Sequence, residues 1–94
     1  MIGAGNMRHS INIDSNGLNL KEALEDYVSG NGYYCEFPVR FGWGIDYAYC
    51  GVMIPGRKYN DALFIATDNH DGTIMIEETD NAHKYLKQNA VVNA

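Results

Sequence analysis

The chain has 94 residues, of which 46% are hydrophobic and 20% charged, so the composition predicts one globular domain spanning residues 1–94. The net charge of −5 disfavours direct binding to a nucleic-acid backbone or to an anionic membrane surface. No apolar run approaches the ~18 residues of a membrane-spanning helix, and no secretory signal is recognisable. We therefore expect a cytoplasmic protein, located in the host cytoplasm if a phage encodes it.

The first residues carry a partial glycine motif. Gly3 and Gly5 have the spacing of a dinucleotide-binding loop, but Arg8 stands where that loop needs its third glycine. We therefore predict no cofactor, and we expect residues 1–8 to be flexible. Residues 9–13 alternate weakly between apolar and polar side chains, which is typical of a short strand.

The clearest local pattern predicts a helix over residues 19–29. Asn19 is a suitable N-cap, and Glu22 follows it at the spacing of a capping box. Gly30 is expected to end the helix in the left-handed conformation. One face of the helix is apolar and is expected to pack on a sheet: Leu20, Ala23, Leu24, Tyr27 and Val28.

Four strands are predicted after the helix, at residues 33–41, 45–54, 61–67 and 73–79. Because Pro38 cannot donate a ladder hydrogen bond, the first of them is expected to lie at an edge or to carry a bulge. Its apolar side chains alternate onto one face: Tyr33, Cys35, Phe37, Val39 and Phe41.

A short final helix is predicted after the last strand. Thr79 or Asp80 can cap it, and its apolar face is supplied by Ala82, Tyr85 and Leu86. Residues 90–94 are expected to be flexible.

The order β-α-β-β-β-β-α predicts an α+β fold with one main helix packed on a four- to five-stranded antiparallel sheet and a short C-terminal helix. This order resembles that of the cystatin-like fold, a likeness of shape that implies no function.

The register of the hairpin between the strands at 33–41 and 45–54 decides where the two cysteines point. A four-residue loop would oppose Cys35 and Cys50 within reach of a disulfide, but it would place Asp46 opposite an apolar residue.

A three-residue loop at 42–44 is favoured instead, because it opposes Arg40 and Asp46 on the outer face. In this register Cys35 and Cys50 lie on opposite faces, so both are predicted to be reduced. The core face of the second strand is then expected to hold three large side chains: Tyr47, Tyr49 and Met53.

The turn before the last strand partly matches a calcium-binding loop. Asn69, Asp71 and Glu78 occupy ligand positions, but Thr67 replaces the first carboxylate, so a hairpin turn is preferred and no metal is predicted. Nothing local marks Cys50 as an activated nucleophile for a histidine base, which makes an enzyme less expected than a binding protein.

Acidic and aromatic residues indicate protein contacts. Between Tyr59 and His83 there are six acids and no Lys or Arg, namely Asp61, Asp68, Asp71, Glu77, Glu78 and Asp80. A solvated strand face explains these acids, and the alternative is an acidic patch that engages a basic protein such as a nucleic-acid-binding protein.

A homodimer is also expected, through an apolar outer sheet face of Tyr34, Ala48, Cys50, Val52 and Ile54.

We therefore expect a small non-enzymatic domain that binds and inhibits or modulates a protein partner. Phage and mobile-element anti-defence proteins, including anti-CRISPR proteins, are often compact acidic α+β domains of this kind. The predicted contact residues are Tyr34, Arg40, Trp43 and Asp46 at the hairpin, with Glu77, Glu78 and Asp80 as an acidic rim. The alternatives are a homo-oligomer that binds a nucleotide-like small molecule, a small Cys/His enzyme and a calcium-binding protein.

Overall fold

A computed structural model describes residues 7–56 and 61–88. Most of the two segments expected to be flexible therefore lies outside the described residues. The elements are, in chain order, strand β1 (Met7–Asp14), helix α1 (Leu20–Gly30), strands β2 (Tyr33–Cys35), β3 (Val39–Trp43), β4 (Tyr47–Val52), β5 (Asp61–Asp68) and β6 (Thr73–Thr79), helix α2 (Asp80–Tyr85) and strand β7 (Leu86–Gln88).

The predicted α+β architecture is confirmed. Five antiparallel strands form the main sheet in the order β1-β6-β5-β4-β3, and β2 pairs with β7 in a second, two-stranded sheet. Helix α1 packs across β4 and β5, and α2 packs on β5 and β6. No helix among the described residues combines the length and apolarity needed to cross a membrane.

Helix α1 begins as the capping box predicts. The Glu22 amide donates to Asn19 Oδ1 at 2.8 Å, and the Asn19 amide donates to Glu22 Oε1 at 3.0 Å. The prediction for its end is wrong, because Gly30 is still helical and the left-handed residue is Gly32, with φ of 70°. This helix buries Ala23 and completes the core with its apolar face.

The core lies between the main sheet and the two helices. Its buried apolar residues are Ala23, Leu24, Ala48, Cys50, Val52, Leu63, Phe64, Ala66, Ile74, Ile76, Ala82 and Leu86. Two tyrosine rings extend it by packing on Phe64: those of Tyr27, with ring centroids 5.6 Å apart, and Tyr33, at 5.5 Å.

The strand predicted over residues 33–41 is divided into β2 and β3. Residues 36–38 separate the two, since Pro38 cannot donate to a ladder and the chain changes sheets at this point. The predicted inward face is confirmed, because five side chains pack against the core: Tyr33, Cys35, Phe37, Val39 and Phe41.

The predicted register of the β3–β4 hairpin is wrong. Phe41 pairs with Cys50 and Trp43 with Ala48, and the Gly44 amide donates to the Tyr47 carbonyl at 2.7 Å. The loop is therefore the two residues 45–46, and the predicted pair of Arg40 and Asp46 does not form, since Arg40 opposes Gly51.

The faces of β4 are consequently reversed relative to the prediction. Tyr47, Tyr49 and Met53 are exposed rather than buried. Of the proposed outer dimer face, Ala48, Cys50 and Val52 lie in the core and Ile54 packs against it, whereas Tyr34 is exposed. A register shift by an odd number of residues exchanges the two faces of a strand, which explains the whole error.

Both cysteines are free, as predicted, but for a different reason. Cys50 is buried in the core, and Cys35 packs against that core from β2 rather than facing away from it. The two therefore do not lie on opposite faces of one hairpin.

Helix α2 begins after Thr79, one of the two predicted capping residues. The Thr79 hydroxyl makes no cap hydrogen bond and donates instead to the carbonyl of Ala62 at 2.7 Å. The helix ends at Tyr85, and Leu86 begins β7, so the predicted helix is one residue too long at this end.

Candidate functional site

Two hairpin tips lie side by side at one end of the main sheet. The tip between β3 and β4 joins the tip between β5 and β6 through the Asp68 amide, which donates to the Asp46 carbonyl at 3.0 Å. The His70 ring lies between two carboxylates, with Nε2 3.3 Å from Asp46 Oδ1 and Nδ1 3.7 Å from Asp68 Oδ2. These contacts set the relative position of the two tips.

The second tip is a turn held by its own side chains. Asp68 Oδ1 accepts the His70 amide at 2.8 Å, and His70 adopts a left-handed conformation with φ of 61°. Asp71 Oδ1 accepts the Thr73 amide at 3.0 Å and the Thr73 hydroxyl, which lowers the pKa of Asp71. Asn69 donates to Thr73 Oγ1 at 3.0 Å.

This turn does not assemble the residues that partly matched a calcium loop. Asn69 and Asp71 use their side chains within the turn, whereas Glu78 lies far along β6. Within the part of the chain that the structure describes, no group of three His, Cys, Asp or Glu residues is placed to hold a metal ion.

The glycines that flank Trp43 support tyrosine rings on the outer face of the sheet. A Cβ atom on Gly42 would lie 2.5 Å from Cζ of Tyr49, and one on Gly44 would overlap the ring of Tyr47. Glycine is needed at both positions because the rings from β4 lie directly across β3. Trp43 stands between them on the opposite face, paired with a buried alanine.

A cleft of about 740 Å³ opens between these tips and the N-terminal end of α1. Its lining includes Leu20, Lys21, Trp43, Ile45, Tyr47 and His70. Three of them expose large apolar surfaces, since Trp43 is 65%, Ile45 96% and Tyr47 49% accessible. We call Trp43, Ile45 and Tyr47 the apolar tip.

The predicted hairpin contacts are only partly brought together. Trp43 and Asp46 lie at the same end of the β3–β4 hairpin. Arg40 lies further along β3, with Nη1 3.9 Å from Met53 Sδ, and Tyr34 is exposed on the second sheet. Sequence reasoning missed Ile45 because the wrong register treated it as a strand residue.

The predicted acidic rim is corrected at Glu78, which is only 5% exposed. Its Oε2 accepts the Tyr27 hydroxyl at 2.9 Å and the Tyr33 hydroxyl at 3.3 Å, and its Oε1 lies 3.5 Å from His83 Nε2. Burial, followed by the nearby carboxylate, raises the pKa of both tyrosines. Glu78 therefore joins α1, β2 and α2 and offers no surface to a partner.

The other two rim residues lie apart from the apolar tip. Glu77 is partly exposed on the outer face of the sheet, where it opposes Ile65, and Asp80 is exposed at the first turn of α2. Two other acids, Asp46 and Asp68, lie at the hairpin tips instead, on either side of His70.

Cys50 is not available as a nucleophile. Its side chain is fully buried, and burial, with a smaller contribution from Cys35, raises the pKa of its thiol to about 12. The thiol is therefore protonated and enclosed at neutral pH.

Comparison of the chain with protein-family models, with curated proteins and with solved structures found no match.

Proposed function

We propose that the chain is a non-enzymatic binding module that contacts a protein partner through the apolar tip. The observation that carries this proposal is the exposure of Trp43, Ile45 and Tyr47 at the same end of the β3–β4 hairpin, with Trp43 on the inner face and Tyr47 on the outer face. Tryptophan and tyrosine are enriched among the residues that dominate binding energy in protein interfaces. Ile45, almost fully exposed on a short loop, is positioned to enter a pocket of the partner.

The carboxylates around the apolar tip favour a partner with basic residues. Asp46 and Asp68 border it with His70 between them, and the cleft's lysine, Lys21, already lies 3.3 Å from Glu25. An apolar contact bordered by carboxylates complements a partner whose apolar pocket is bordered by Lys or Arg. Nucleic-acid-binding proteins present such surfaces, and an acidic module bound there inhibits them by covering the nucleic-acid site.

Capture with matched variants tests this proposal. Immobilised wild-type chain, Ile45→Ser and Tyr34→Ser are each incubated with the same host lysate. Tyr34 is the control, because it is an exposed aromatic residue on the other sheet. We expect a protein that the wild type and Tyr34→Ser retain and Ile45→Ser loses. A set of captured proteins identical for all three would contradict the proposal.

The cleft favours a second candidate, the binding of a small molecule such as a nucleotide. Its volume of about 740 Å³ lies within the range of ~300–1,000 Å³ that is common for ligand pockets. A thermal-shift series with a nucleotide panel is expected to raise Tm for the wild type and not for Trp43→Ala. No shift with any nucleotide would rule out this class of ligand.

A further inference from the structure

The side chains of Trp43 and Asp68 lie on the same face of the main sheet and line the same cleft. Trp43 opposes the buried Ala48 on β4, and Asp68 opposes the buried Ile74 on β6, so both residues lie on the face that carries the core. Both line the cleft of about 740 Å³ beside the start of α1. An indole ring that is 65% exposed and a carboxylate that is 43% exposed therefore border one space.

The strand registers set the distance between these two residues. Ala48 opposes Ala66 on β5, and Asp68 lies two residues beyond Ala66 toward the hairpin tip. With strands ~4.8 Å apart and a rise of ~3.3 Å per residue, the Cα atoms of Trp43 and Asp68 are about 12 Å apart. Because Ala48 and Ala66 lie between them on this face, the gap leaves room for a flat group between the indole and the carboxylate.

The Asp68 carboxylate is oriented by its own turn and keeps one oxygen for a ligand. Its Oδ1 accepts the His70 amide at 2.8 Å, whereas Oδ2 lies 3.7 Å from His70 Nδ1, which is too long for a hydrogen bond. Asp46, with Oδ1 3.3 Å from His70 Nε2, adds a second carboxylate at the tips. Lys21 also lines the cleft, but its Nζ lies 3.3 Å from Glu25 Oε2, so its charge is already balanced. This side of the cleft therefore complements a cation.

We propose that the cleft receives an arginine side chain of the protein partner, with the guanidinium stacked on the Trp43 indole and donating to Asp68 Oδ2. This inference rests on the proposed contact of the apolar tip with a protein, and it identifies one residue of that protein. A guanidinium fits better than an ammonium, because its flat face stacks on an aromatic ring while its edge donates hydrogen bonds. A charge-assisted hydrogen bond of this kind is ~2.7–2.9 Å long and about twice as strong as a neutral one.

Titration of the isolated chain with a capped arginine tests the site without the partner. Trp43 is the only tryptophan, so its indole N–H gives a single resonance in a nitrogen–proton NMR spectrum. N-acetylarginine amide is expected to shift this resonance saturably, and N-acetyllysine amide to bind more weakly.

Two matched variants locate the cation. Asp68→Asn keeps an oxygen for the His70 amide but removes the charge, so Kd for N-acetylarginine amide is expected to rise about tenfold. Asp71→Asn removes the same charge from the same turn, outside the cleft lining, and should leave Kd within about twofold of the wild type.

Three results would overturn the inference: no shift with N-acetylarginine amide, an equal Kd for the lysine compound, or an unchanged Kd in Asp68→Asn. Capture of a partner tests the proposed function separately, because it depends on Ile45. A protein that Ile45→Ser loses and Asp68→Asn retains at full affinity would leave the proposed function standing and reject the arginine site. Binding of the capped arginine by a chain that captures no protein through Ile45 would support the cleft site and contradict the apolar tip as a partner contact.

Discussion

Replacing Glu78 by alanine should be among the most destabilising single changes on β6. Two tyrosine hydroxyls donate to its carboxylate, and hydrogen bonds to a charged group contribute ~1.5–3 kcal/mol each. Because Tyr27 and Tyr33 are only partly buried, water replaces some of what is lost, and we expect a decrease of about 2–4 kcal/mol in the free energy of unfolding. That decrease corresponds to a Tm lower by about 10–30 °C in a domain of this size.

The neighbouring residue provides a matched control. Glu77 has the same side chain but lies on the outer face of β6, so Glu77→Ala is expected to change the free energy of unfolding by no more than ~0.5 kcal/mol. Urea unfolding followed by circular dichroism measures both variants. Tyr27→Phe should cost less in the Glu78→Ala background than in the wild type, since its hydrogen bond is already lost. Equal stability of the two alanine variants would refute the assignment of Glu78 to the interior.

Two further predictions follow from close packing and from proton binding. Gly42→Ala is expected to lower the free energy of unfolding, measured in urea, by about 1–3 kcal/mol, because the added Cβ would meet the Tyr49 ring. Gly30→Ala is the control: no atom lies within reach of its Cβ, so it should leave the free energy of unfolding unchanged or raise it by up to ~1 kcal/mol. The raised pKa of Tyr27 and of Tyr33 means that the folded chain holds these protons more tightly than the unfolded chain. The stabilising contribution of these two tyrosines is therefore fully present up to the unfolded tyrosine pKa near ~10 and is lost above it. Tyrosine ionisation followed by ultraviolet absorbance should show a late phase that coincides with unfolding by circular dichroism. A single early phase for all tyrosines would contradict this prediction.

Local patterns in the sequence were sufficient to predict the start and the apolar face of helix α1 and the bounds of strand β6. The capping box at Asn19 and the spacing of apolar residues over the next turns both act within a few residues, so no tertiary information is needed. Strand β6, Thr73–Thr79, has the predicted bounds because a turn rich in Asn, Asp and Gly precedes it.

The hairpin shows what such patterns leave undetermined. The opposition of Arg40 and Asp46 favoured a register in which Tyr47 and Tyr49 were buried, but an exposed ion pair contributes little, whereas packing of the core decides the register. Small residues then occupy the inner face of β4 because α1 lies directly over it.

The location of the candidate site was predictable only in part. The sequence drew attention to Trp43, but its position beside the start of α1 depends on how the helix packs on the sheet, which no local pattern in the sequence specifies. The interior position of Glu78 was not foreseen, because glutamate is rarely buried without partners, and its partners Tyr27 and Tyr33 come from α1 and β2, far away in the sequence.

The most direct test of the proposed function is the affinity of the captured partner for Trp43→Ala, measured by titration calorimetry with purified proteins. Trp43 is mostly exposed, so the variant should keep the wild-type Tm, and loss of a central interface tryptophan is expected to raise Kd by about thirtyfold or more. Tyr34→Ala should leave Kd within about twofold of the wild type, since it lies on the other sheet. An unchanged Kd for a folded Trp43→Ala variant would contradict the proposed role of the apolar tip.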